Sequence, residues 1–133
     1  NNDLHWLRPE ASIADAARLM SVNRMGTCIV SLEGDDLQGI LSECDIVREI
    51  GKNGVGVLDQ EIASIMTSKI VTCTEGDTSD QVLETMTNGR FRHMPVMDGK
   101  RVIGLISIGD VVKARIQQLA MEKDALEGMI MGH

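Results

Sequence analysis

The chain has no tyrosine, one tryptophan (Trp6) and one phenylalanine (Phe91), so its interior is not built on aromatic packing. Aliphatic side chains and nine methionines must fill it instead. The same scarcity, with a formal net charge of −7, excludes a general binder of nucleic-acid backbones, because neither a basic stripe nor a row of stacking rings is present. A local basic pocket for one small anion stays compatible with that charge. Cys28, Cys44 and Cys73 are odd in number and lack metal-ligand spacing. They predict no disulfide framework and no metal site, but the reduced thiols of a cytoplasmic protein. There is no long apolar run and no signal-like start, which predicts no membrane association. The abrupt opening at Asn1 leaves room for a native segment ahead of it.

What is present is ordinary globular composition, 43% hydrophobic and 25% charged over 133 residues, and an internal duplication. Gly39-Ile40-Leu41-Ser42-Glu43-Cys44-Asp45-Ile46-Val47-Arg48 is echoed by Gly104-Leu105-Ile106-Ser107-Ile108-Gly109-Asp110-Val111-Val112-Lys113, at an offset of 65. Earlier in the halves the offset is 66, placing Ser12 on Thr78, Met20 on Met86, Arg24 on Arg90 and Val30 on Val96. A one-residue change in the Glu33-Gly34-Asp35-Asp36 turn accounts for the slip, as loops absorb such changes. Each half alone would be too small for a sturdy core, so the two are expected to share one.

Within each half the signals run in the same order. Ser12 with Asp15, and Thr78 with Gln81, have the spacing that satisfies free amides at a helix start. Ile13, Ala17 and Met20, like Val82, Leu83 and Met86, supply an apolar helical face. Short extended pieces, Leu4 to Leu7 and Ile70 to Thr74, precede those helices. After them come paired strands, Cys28 to Leu32 with Leu37 to Leu41, and Met94 to Met97 with Val102 to Ile106. A second helix opens at Ser42 or Ser107. The unit is therefore β-α-β-β-α, used twice in a mixed α/β (α+β) fold. Residues 1–56 form the first unit, 57–66 a linker with a short helix, and 67–133 the second unit, with Gly51 to Gly56 as a flexible join. The last helix runs past the repeat, and Val112, Ile116, Leu119, Lys123, Leu126 and Ile130 follow heptad-like spacing. That stripe packs either on its own domain or on a second copy.

Two such units, each ending in Gly-apolar-apolar-Ser-x-x-Asp, with Arg92-His93-Met94-Pro95-Val96 in the second, resemble a tandem pair of cystathionine-β-synthase (CBS) domains of the stand-alone bacterial kind. The resemblance spans Leu4 to about Arg115 and is closer in the second half. In the first, Gly26-Thr27-Cys28-Ile29 replaces the Arg-His-Met-Pro stretch and Cys44 precedes the Asp. It implies a regulatory sensor that binds an adenosine-containing ligand, AMP, ADP, ATP or NAD(H), in clefts between the units. It also implies a flat homodimer and an effector protein the sequence does not name.

The repeated phrase suits such a ligand chemically. A carboxylate one turn into a helix can accept hydrogen bonds from both ribose hydroxyls, while a serine hydroxyl and free helix-start amides can hold phosphate. Asp45 and Asp110 would read ribose; Ser42 and Ser107 would contact ribose or phosphate. Plain helix capping asks for the same residues, and one side chain can serve both roles. Arg92 and His93 could pair with phosphate oxygens, or Arg92 could simply be solvated. Ile70, Met94 and Pro95 in the second half, and Leu4, Trp6, Thr27 and Cys28 in the first, are candidates for the adenine slot, with core packing as the competing role. Enzymatic activity is not expected. A (β/α)₈ barrel of about 250 residues has no room, and no phosphate-binding Gly-rich loop, metal cluster or nucleophile triad is visible. The remaining alternative is a structural dimerisation module that binds no ligand.

Overall fold

The computed structural model describes residues 5–131, with side chains described as far as Lys123. The first unit comprises β1 (Trp6–Leu7), α1 (Ile13–Asn23), β2 (Thr27–Val30), β3 (Gly39–Ser42) and α2 (Glu43–Asn53). The second comprises β4 (Cys73–Thr74), α3 (Ser79–Gly89), β5 (His93–Asp98), β6 (Arg101–Ser107) and α4 (Ile108–Met131). In each three-stranded sheet the short first strand runs parallel to the second, and the second antiparallel to the third.

Local chemistry sets the helix ends. Ser12 accepts the Asp15 N–H, and Thr78 and Gln81 cap reciprocally. Arg24 and Arg90, equivalent under the duplication, close α1 and α3 in the left-handed region, at φ of 54° and 58°. The extended piece expected from Ile70 shrinks to Cys73–Thr74, paired with Val96 and Met97. Upstream of that pairing β5 presents Pro95, which has no N–H to continue the ladder.

Period-two alternation divides each sheet into two faces. Cys28, Val30 and Leu41 point toward the helices and form the first core with Ile13, Ala16, Met20 and Ile46. Cys73, Met94, Val82, Met86 and Val111 form the second. The opposite faces carry Thr27, Ile29 and Pro95, each also fully buried although none belongs to either core. These faces meet, for Thr27 Oγ1 and His93 Nδ1 share a hydrogen bond of 3.0 Å across 66 residues, the offset of the duplication. Equivalent residues that touch must lie on the approximate twofold axis relating the units.

Two further segments join the halves. Of the expected flexible join, Gly51 to Asn53 instead finish α2, while the expected linker with its short helix makes two 3₁₀ turns, Val55–Asp59 and Ile62–Ser64. Val57 and Ile62 from these turns are buried in the first core. The Glu33–Asp36 turn is organised by Asp36, whose carboxylate accepts from the Ser31 hydroxyl at 2.7 Å, the Glu33 N–H at 2.8 Å and the Gln38 amide at 2.8 Å. Those bonds, the Ser31 one foremost, hold its carboxyl far below the usual carboxylate range. Beside it the Asp35 carbonyl accepts the Val102 N–H of β6 at 2.7 Å.

Candidate ligand site

Cross-strand partners share a face, so the pairs Thr27–Ser42 and His93–Ser107 bring both repeated serines to the inter-unit side, on either side of the Thr27–His93 bond. Each serine ends its strand and caps the next helix. Ser42 Oγ accepts the Asp45 N–H at 3.2 Å while Asp45 Oδ2 accepts the Ser42 N–H at 3.0 Å. Ser107 and Asp110 repeat the reciprocal pair at 3.1 and 3.2 Å. The capping role offered by the sequence is therefore filled in both units.

The two carboxylates differ in what they have left. Asp45 is 17% exposed and its second oxygen receives the Arg48 guanidinium at 3.2 Å. Asp110 is exposed, and it lines a cavity of about 480 Å³ with Cys73, Val96, Gly104 and Ala114. It also bears on His93. Burial holds the His93 imidazole below its ordinary pKa with help from the neighbouring Arg92 charge, while Asp110 and Glu43 pull the other way. His93, Arg92, Asp110 and Glu43 thus form one electrostatic cluster at the axis. Glu43 was not singled out by sequence; as the residue after Ser42 it stands opposite Ile108 in the repeat, and that mismatch was the available signal.

The adenine-slot candidates separate. Cys28 and Met94 are core residues, fully buried, because alternation turns them toward the helices. Thr27 and Pro95 are on the inter-unit face but also fully buried. Trp6 packs against the Gly34 turn, where a Cβ on Gly34 would stand 3.0 Å from its indole. Ile70 is half-buried in the stretch before β4, and Arg92 is exposed. Leu4 lies outside the described residues. The apolar residues half-open on the inter-unit face are Ile40 and Leu105, each two before a repeated serine and so on the same side of its strand. That period was legible in the repeated phrase. No group of metal-ligating side chains occurs among the described residues, and no helix there is long and apolar enough to cross a membrane.

Comparison with known proteins identifies the family. The family model "CBS domain" matches residues 1–52 and again 62–117. The chain belongs to the CBS-domain family. It is 32% identical over 131 residues to the mitochondrial CBS domain-containing protein CBSX3 of Arabidopsis thaliana, covering 96% of this chain and 64% of that protein. The chain thus spans a little under two thirds of that curated relative. The crystal structure of the CBS-domain containing protein ATU1752 from Agrobacterium tumefaciens superposes with a TM-score of 0.82 at 39% identity, over 86% of this chain and 91% of that one. The CBS domain pair of MJ0100, solved in complex with 5′-methylthioadenosine and S-adenosyl-L-methionine, shares the fold at a TM-score of 0.78 and 23% identity, over 89% and 92% of the two chains. CBS pairs are regulatory modules, and some bind adenosine-containing ligands.

Proposed function

We propose that this CBS pair is a sensor for an adenosine-containing ligand, AMP, ADP, ATP or NAD(H), held at the inter-unit face. The observation that carries the reading is the convergence of both Ser-x-x-Asp helix starts on the twofold axis, with His93 and Arg92 beside Asp110. Asp110 uses one oxygen for its cap, so the other is the acceptor offered to ribose hydroxyls. Ile40 and Leu105 offer apolar walls to a base, and Arg92 offers charge to a phosphate. Asp45, already tied to Arg48, is the weaker acceptor. Binding across the axis favours one tilt of the units over another, by no more than the ligand's difference in affinity for the two states.

Output through a second copy is supported by the stripe on α4. Val112, Ile116 and Leu119 are exposed, whereas α4 meets α3 through buried Val111, the Arg115–Asp80 ion pair and the Gln118–Ser79 hydrogen bond. The side chains of Leu126 and Ile130, the rest of the expected seam, lie outside the described residues. The test of ligand binding is a thermal-shift panel of AMP, ADP, ATP, NADH, S-adenosylmethionine and GMP. A true ligand at a hundred times its dissociation constant stabilises the fold by about 2.7 kcal/mol. A shift with an adenosine compound that survives Asp45→Ala and disappears in Asp110→Ala supports the reading. No shift with any of them leaves the structural dimerisation module as the better account.

A further inference from the structure

The residue after each repeated serine bonds back to the residue that precedes the second strand of its own unit, and both members of that pair change between the units. Glu43 N–H donates to the Gly26 carbonyl at 2.8 Å, and Ile108 N–H to the Arg92 carbonyl at 2.7 Å. Glu43 and Ile108 are equivalent at the offset of 65, Gly26 and Arg92 at 66, so the duplication keeps the backbone bond and exchanges the side chains. Ile108 is half-buried and packs on the second core. Glu43 is exposed, and its carboxylate lies over Gly26, where a Cβ would stand 3.4 Å from Oε1. The absence of a side chain at 26 leaves the carboxylate unobstructed there.

These exchanges meet at the axis. Glu43 from the first unit, with Arg92 and Asp110 from the second, acts on His93, whose Nδ1 is engaged by Thr27. Among the described residues neither Glu43 nor Arg92 makes a side-chain hydrogen bond or an ion pair. Asp110 spends one oxygen on its cap. Burial holds His93 below its ordinary pKa, which leaves it neutral at pH 8. The charges acting around the axial histidine are therefore one cation, Arg92, and two anions, Glu43 and Asp110. The second anion is there only because the first unit has glutamate where the second has isoleucine.

We propose that Glu43 sets how much negative charge the inter-unit site accepts, so that an adenosine ligand with one phosphate is taken in preference to one with two or three. This rests on the nucleotide reading above and narrows its ligand. Arg92 can meet one phosphate group, whereas a longer phosphate chain brings further negative charge against Glu43 and Asp110. Selectivity of this kind comes from repelling the wrong ligand as much as from attracting the right one.

The test is calorimetric titration of the whole chain with adenosine, AMP, ADP and ATP at pH 8, without divalent cations, which would neutralise the phosphate chain. AMP is expected to bind most tightly, with ADP and ATP successively about threefold weaker, the size of step that exposed charge pairs reach. Arg92→Ala should bring AMP down to the level of adenosine. Glu43→Gln, close in shape, and Glu43→Ile, which copies the second unit, should each narrow the gap between AMP and ATP from about tenfold to about threefold, with Asp110 still opposing. Raising the salt to about 0.5 M should narrow it in the parent protein too, by screening. A parent that binds ATP as tightly as AMP, or a gap that neither Glu43 variant alters, would overturn the role of Glu43 while the nucleotide reading stands. Absence of binding by all four compounds at millimolar concentration would overturn that reading, and the role of Glu43 with it.

Discussion

In the first unit Val57 and Ile62 close the helix-facing side of the sheet, whereas in the second the same side, at Cys73, Val96 and Gly104, opens into a cavity. The strands, caps and left-handed arginines match, so the difference lies in the segment over the sheet. In the first unit that segment follows α2. After α2 the chain turns at Gly54, with φ of 83°, and folds back over its own unit. After the corresponding turns of α4 it continues as helix to Met131. The carboxylates show the same asymmetry: Asp45 is enclosed and paired, Asp110 exposed at a hollow.

The largest expected effect breaks the comparison at the cover itself. Ile62 is fully buried, and Ile62→Ala should cost about 3 kcal/mol, read by urea denaturation. Val82→Ala, at the edge of the open cavity, should cost about 1.5 kcal/mol, little more than the transfer of two methylene-sized groups. Equal losses would mean that the first unit gains nothing from its cover. Next come the repeated acids. Asp45→Ala and Asp110→Ala each remove a reciprocal cap worth about 1 kcal/mol. The loss should be the greater for Asp45, which is less exposed and also holds Arg48. Only the Asp110 change should remove nucleotide-dependent stabilisation.

Much of this was legible in the residues. The duplication, the order of elements, the caps at Ser12 and Thr78 and the helix starts at Ser42 and Ser107 are readable from local spacing, and local spacing is what sets them. The family likewise was readable from a motif that occurs twice. What escaped were features decided by distant partners. Nothing local to Val57 and Ile62 says that a linker fills a core, or that Pro95 would shorten β4 to two residues. The adenine-slot candidates Cys28 and Met94 were chosen for chemistry and position in the motif, without the alternation that turns them inward and exposes Ile40 and Leu105 instead. Glu43 escaped because its interest lies in His93, fifty residues away and on the other unit.

A smaller effect should appear at the axis, where Thr27 and His93 share their bond. Thr27→Val removes the hydroxyl from His93 and should cost about 1 kcal/mol at neutral pH. The histidine also sets a pH window. Its folded pKa is depressed by burial, so as pH falls through 6.5 the unfolded chain takes up a proton that the folded chain refuses, and stability declines. His93→Gln should flatten that decline. Asp36, whose carboxyl is also depressed, contributes stability that is present above its ordinary value of 3.8 and is lost only in stronger acid. Its change Asp36→Asn should therefore alter the acid limb and leave the window near 6.5 untouched.

The finest resolution of the two units comes from their thiols. Cys28 and Cys73 occupy the cores of different units, and burial raises both, Cys28 to about 11 and Cys73 with a further push from Asp77. Cys28 lies beneath a covered sheet, while Cys73 forms part of the open cavity wall. Cys44 is exposed on α2. Since the thiolate is the attacking species and must also be reached, iodoacetamide at pH 8 should label Cys44 first, Cys73 more slowly and Cys28 only on unfolding. Filling the cavity by Gly104→Leu should slow Cys73 and leave Cys44 unchanged. If Cys28 and Cys73 instead react at the same rate, both units open only by unfolding, and the cavity gives no entry to the second core.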